Sequence, residues 1–160
     1  MTWRGSTDAK DRFFGAIVYL IPLYEALFLG GFLFGNFPVL LPIRNFLLLL
    51  LTPLSLIYGS IPFASLIVFF VLLLAVVRNP KIRHFIRFNT MQAILIDIAV
   101  ALIRIILSVL GGLGEIAGIL GSIVFLCAAA ACVYSMVQSV LGRYPEIPSI
   151  SEIVYTQVPY

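Results

Sequence analysis

MQAILIDIAVALIRIILSVLG, residues 91–111, decides the fold. Twelve of these residues are Leu, Ile or Val, and the run has the roughly 20 apolar positions that a helix needs to cross a bilayer. Outward from it lie three further runs, Phe13 to Gly35, Ser60 to Val77 and Ala117 to Leu141. Composition agrees: 62% of the chain is hydrophobic and 11% charged, where soluble domains carry about 45–50% and about 25%. A soluble enzyme, a disordered tail and a nucleic-acid binder each need polar surface that this chain lacks. The expected fold is an all-α membrane protein, one domain over residues 1–160, with four transmembrane helices and tails 1–12 and 142–160.

Phe46 to Tyr58 is the ambiguous segment. It has only 13 residues and contains Pro53, and runs of 10–14 tend to be interfacial or re-entrant. Charge decides the matter. With four spans, Arg4, Lys10 and Arg12 of the N-tail, Arg78, Lys81, Arg83 and Arg87 of the central loop, and Arg143 of the C-tail share one side. Arg44 is alone opposite, and Arg104 lies within a span. A fifth span would leave three cations on the first side and six on the other. The positive-inside rule therefore predicts four spans with both termini cytoplasmic. Phe46–Tyr58 is then a helix lying against or dipping into the outer leaflet, capped by Pro53. The mixture of Arg4, Lys10 and Arg12 with Asp8 and Asp11, followed by Glu25, fits neither a secretory signal nor a transit peptide. The expectation is a protein made in the compartment that holds it.

Three ionisable residues fall inside spans: Glu25, Asp97 and Arg104. Twelve Leu, Ile and Val residues, at roughly −0.3 to −0.6 kcal/mol each, barely offset Asp and Arg at roughly +2.5 to +3.5 each. The third span therefore needs partners for its charges. Glu25 lies 12 residues beyond Phe13, and Arg104 lies 13 beyond Met91, both about 18–20 Å deep at about 1.5 Å per residue. This predicts a Glu25–Arg104 ion pair, with Asp97 two turns away on the same face and sharing Arg104 through a water. Three roles stay open: a packing lock, a polar path for a transported substrate, or snorkelling. Gly114, Gly118 and Ser122 in the last span, and Gly31 and Gly35 in the first, have the small-xxx-small spacing of close helix approach. Such approach serves a contact within the chain or in a homo-oligomer. Cys127 and Cys132 read as small packing residues.

Asn79-Pro80 reads as a helix start. A short basic amphipathic helix is expected to follow before the third span, with Arg78, Lys81, Arg83 and Arg87 available to lipid headgroups or to a partner protein. His84 stands without a second His or a Cys nearby, so no metal site is expected. No Ser-His-Asp set and no Gly-rich phosphate loop is present. The reading is a protein that is not an enzyme and needs no cofactor, serving transport, assembly or scaffolding.

Arg78-Asn79-Pro80 and the block Arg87-Phe88-Asn89-Thr90-Met91-Gln92-Ala93-Ile94-Leu95-Ile96-Asp97-Ile98 closely resemble the twenty-kilodalton subunit family of the translocon at the inner chloroplast envelope, with its cyanobacterial relatives. Tyr144-Pro145-Glu146-Ile147-Pro148, Ile150-Ser151-Glu152, and Ile61-Pro62-Phe63 with Phe69-Phe70 agree with it. The resemblance implies a four-helix subunit of a protein-import complex in a plastid inner envelope or cyanobacterial plasma membrane. Other translocon subunits are its implied partners, precursor proteins its substrates, and a stromal or cytoplasmic side holds its termini. Asn89 and Gln92 are expected at the mouth of the third span, bonding across helices or touching substrate, with Arg87 on lipid phosphate. A non-conducting assembly factor and a small self-associating channel are the rival readings. Four helices close-pack around side chains, so any polypeptide path is expected in a groove at a subunit interface or in an oligomer.

Overall fold

The computed structural model describes residues 7–110 and 114–158; Arg4 of the N-tail and Gly111 at the expected end of the third span lie outside the described residues. Every regular element among the described residues is helical: α1 (Ala9–Asn36), α2 (Pro38–Leu50), α3 (Thr52–Ser60), α4 (Ala64–Val77), α5 (His84–Val109), α6 (Glu115–Val140) and α7 (Ile150–Gln157). With 28, 26 and 26 residues, α1, α5 and α6 are long and apolar enough to cross a membrane. Their outer faces carry exposed Phe28, Leu102, Ile105, Ile119, Ile123 and Leu126, as lipid-facing surfaces do. The chain is a membrane protein.

Side-chain pairs set the helix directions. Arg83, just before α5, reaches Asp11 near the start of α1, and Arg104 reaches Glu25, so α1 and α5 run parallel. Gly118 of α6 abuts Phe32, and Ser139 reaches Asn89, so α6 runs antiparallel to both. The starts of α1 and α5 and the end of α6 gather at one end of the bundle, with Lys10, Arg12, Lys81, Arg83 and Arg143. The chain from Asn36 to His84 must therefore return from the far end. Within α1, Pro22 supplies no N–H to the Val18 carbonyl, which instead accepts from Ile21 at 3.2 Å, tightening that turn.

The return segment departs from expectation. In place of one helix over 46–58 stand α2 and α3, bent by 62°. Pro53 does not close a helix; it sits in the first turn of α3, where its missing N–H interrupts the ladder. Leu51, at the bend, is 1% exposed, whereas none of Leu41–Leu50 is buried. The expected second span, 60–77, is cut to α4, because Pro62 and a left-handed Phe63 (φ 57°) break the run before Ala64. α4 measures about 21 Å at about 1.5 Å per residue, short of a core about 30 Å thick. Its last six residues, Leu72–Val77, are wound as a π-helix.

The expected basic helix before the third span is a turn. The Asn79 side chain accepts from Lys81 N–H at 3.0 Å, and its carbonyl accepts from Ile82 N–H at 3.1 Å, so Asn79 caps a turn and no helix. α5 starts at His84 and runs unbroken to Val109.

Close approach also falls on other residues than the small-residue pattern names. A Cβ on Gly31, Gly35 or Gly114 would meet nothing within 4 Å, so these three make no helix contact within the chain. Gly114 serves the backbone instead, at φ +54°. Gly118 does pack, under the Phe32 ring, while the Ser122 hydroxyl donates to its own helix at Gly118 O, 2.8 Å away. The tightest backbone contact is at Gly121, outside the pattern, where a Cβ would stand 3.1 Å from the Leu29 carbonyl oxygen. Gly121→Val is expected to cost about 1–3 kcal/mol by overpacking, and Gly35→Ala nothing measurable. Thermal unfolding of the two variants in detergent checks the contrast.

Candidate functional site

The RFNTMQA block lies inside the bundle. Asn89 and Gln92, each 0% exposed, stand one helical turn apart on α5. The Asn89 side-chain oxygen accepts from the Tyr19 hydroxyl of α1 at 3.0 Å and from the Ser139 hydroxyl of α6 at 2.8 Å, while its amide donates to Phe85 O. Gln92 donates to Ser135 at 3.4 Å and accepts from Ser151 of α7 at 3.0 Å. Both therefore bond across helices, and neither is open to a substrate at a mouth. Each hydrogen bond here replaces an unsatisfied polar group in an apolar medium.

The rest of the block anchors the C-terminal tail. Phe88 and Met91 pack with Val77, Ile94, Val154 and Val158, and Ala93 lies in the main core. His84 bridges the Tyr144 hydroxyl and the Val158 carbonyl, each at 3.0 Å; the carbonyl contact requires a proton on Nε2. Ser151 accepts from Ile147 N–H at 2.7 Å. The C-terminal tail is thus folded against the near end of the bundle.

Two of the four cations assigned to lipid or partner are already engaged. The Arg87 Nε donates to the Val77 carbonyl at 2.9 Å, capping the end of α4, so Arg87 spends that donor on the protein and not on phosphate. Arg83 pairs with Asp8 at 2.8 Å and with Asp11. Hydrogen bonds that Arg83 donates to Asp11 and then to Asp8 raise its pKa above the ordinary arginine value. Arg78 and Lys81 are exposed.

The second polar locus is a cleft of about 300 Å³ between α1, α4 and α5, lined by Glu25, Ser65, Leu66, Phe69, Asp97, Ile98, Ala101 and Arg104. Arg104 Nη1 donates to Glu25 Oε2 at 2.6 Å, and its guanidinium carbon lies 5.9 Å from the Phe28 ring centre. Glu25 is the buried partner, with its side chain 10% exposed against 47% for Arg104. Among the described residues, Asp97 Oδ1 and the Tyr58 hydroxyl have no hydrogen-bond partner, and both atoms are shut from solvent. They line one small cavity of about 10 Å³ with Ser65, enough for about one water. Asp97 thus faces Tyr58 of α3, whose ring packs edge-on against Tyr24 at 5.2 Å.

Tyr19, Ser135, Ser139 and Ser151 of the inner network, Ser65 of the cleft and Tyr58 of the small cavity were not named as site residues from the sequence. Ser135 and Ser139, four apart in an apolar helix, were the available signal, since polar residues at that spacing share a face. Cys132 is buried among core residues while Cys127 is exposed, so only Cys132 packs within the chain. Among the described residues no His, Cys, Asp and Glu group has metal-site geometry.

A family model described as chloroplast import apparatus Tic20-like matches residues 9–154. A Tic20 family protein of Synechocystis sp. is 47% identical, with 100% of both chains covered. Protein TIC 20-II, chloroplastic, of Arabidopsis thaliana is 34% identical over 95% of this chain and 74% of its own. The Tic20 family protein Ycf60 of Porphyra purpurea is 29% identical over 96% and 80%. With a family match from the first turn of α1 into α7, this chain belongs to the Tic20 family.

Proposed function

We propose that this chain is a membrane subunit of a protein-import translocon in a plastid inner envelope or its cyanobacterial equivalent, acting with other translocon subunits on precursor proteins. The family membership carries the reading; the arrangement of polar groups refines it. The inner network around Asn89 and Gln92 is satisfied by its own members, and the core around it is filled by Phe88, Ala93, Phe125 and Cys132. No polar stripe for a polypeptide runs through such a core. The polar surface that remains at depth is the lateral Glu25–Arg104 cleft, so the chain contributes one wall of a path completed by another subunit or a second copy.

In this reading the single membrane domain crosses the bilayer four times in net direction, and α2–α4 share the return. The end bearing Lys10, Arg12, Arg78, Lys81, Arg83 and Arg143 faces the cytoplasm or stroma, with Arg78 and Lys81 on anionic headgroups.

Photocrosslinking in native membranes from a probe at Ile98, an exposed residue of the cleft wall, tests it. Capture of transiting precursors, lost when translocation is blocked, is the expected result. Capture of resident membrane proteins alone would overturn the conducting role in favour of a non-conducting assembly factor.

A further inference from the structure

We propose that the cleft between α1, α4 and α5 binds one cationic group, an ammonium or guanidinium carried by an apolar polypeptide segment. The proposal deepens the translocation reading by naming what the cleft recognises, and it rests on that reading for the source of the segment.

Three observations converge. The buried side-chain atoms without a hydrogen-bond partner among the described residues, Tyr58 Oη and Asp97 Oδ1, line the same small cavity. The larger cleft has Ser65, Phe69 and Asp97 in common with that cavity, so Asp97 lines both. The charges lining the cleft, Glu25 and Asp97 against Arg104, leave an excess of one negative charge, because Arg104 is committed to Glu25 at 2.6 Å. Two carboxylates at this depth call for two cations, and Arg104 is the one cation among the residues lining the cleft.

The shape selects the carrier. Leu66, Phe69, Ile98 and Ala101 frame the cleft, and Leu66 and Ile98 are exposed toward the apolar surroundings. A free hydrated ion would gain nothing from that rim. An apolar segment with one embedded Lys or Arg would bury its apolar flanks on the rim while its cation reached Asp97, with the Ser65 hydroxyl as a further acceptor. An anionic segment would meet the excess negative charge.

The test uses the purified full chain in nanodiscs and apolar helical peptides of about 20 residues with a central Lys, Gln or Glu beside a photoreactive group. The Lys peptide is expected to bind about tenfold more tightly than the Gln peptide, the factor that one charge-assisted hydrogen bond supplies. The Glu peptide is expected to bind more weakly than both, and crosslinks should fall on Leu66 and Ile98. Asp97→Asn should erase the Lys preference. Ser65→Lys, a change at an exposed position, should erase it by placing a competing ammonium in the mouth, and it serves where Asp97→Asn does not fold. Equal binding of the three peptides, a Lys preference surviving either substitution, or crosslinks away from the cleft would overturn the proposal. A Lys preference in nanodiscs without precursor capture at Ile98 in native membranes would leave this site standing and remove the translocation reading instead.

Discussion

Arg104→Leu is expected to destabilise the bundle by about 3–5 kcal/mol, because it strands the buried Glu25 carboxylate without the guanidinium that neutralises it. Glu25→Leu should cost clearly less. The Arg104 side chain is 47% exposed and long enough to move its head toward an interface when its partner is gone. The double variant Glu25→Leu with Arg104→Leu should recover most of the loss, since an apolar pair of similar volume often replaces a buried ion pair without harm. Exchanging the two charges, Glu25→Arg with Arg104→Glu, should likewise exceed the worse single variant. Thermal unfolding in one detergent measures the series. If the double variant and the exchange are no better than Arg104→Leu, the contact at 2.6 Å contributes no stability.

Asn89→Ala should lower stability by about 2–4 kcal/mol, since two buried hydroxyls, Tyr19 and Ser139, lose one shared acceptor together and each unsatisfied group costs about 1–3. Polar contacts between membrane helices average only about 0.6 kcal/mol, so the expected effect comes from the orphaned groups and not from the bonds as such. Tyr19→Phe removes a donor without stranding Asn89, which keeps Ser139, and should cost about 1 kcal/mol. In the Tyr19→Phe background, Asn89→Ala should then cost less than it does alone, a coupling that a double-mutant cycle reads directly. A variant that unfolds like the parent and yet fails to engage precursors would assign Asn89 to substrate contact, against its complete burial.

Several features were legible before any coordinates. Glu25 and Arg104 sit at matching depth in helices that start from the same side, so helix rise alone brought them level. The three long spans followed from length and apolarity. The return segment was less legible, because Pro53 and Pro62 announce a break but not its angle or which neighbour packs into it; Leu51, at the bend, is buried in the main core that also holds Val18 and Leu23 of α1 and Ala93 and Ile96 of α5. The Asn79-Pro80 start failed for a local reason. Asn supports a turn through its own side chain as readily as it caps a helix, and the turn won here. Gly31, Gly35 and Gly114 meet nothing within the chain, because small-xxx-small spacing marks a face without saying whether it meets a helix of the same chain or of a second copy.

Apolar run length and cation placement are properties of the chain itself, and from them the sequence by itself determined a helical membrane protein whose cationic segments share one end. The tertiary structure alone decided what the polar residues do. Whether Asn89 and Gln92 face a substrate or each other's neighbours depends on Tyr19, Ser135, Ser139 and Ser151, which lie 43 to 70 positions away along the chain yet meet them through packing of α1, α6 and α7. Hydrogen bonds act over about 3 Å, so only a folded bundle settles which buried groups are satisfied and which, like Tyr58 Oη and Asp97 Oδ1, have no hydrogen-bond partner among the described residues.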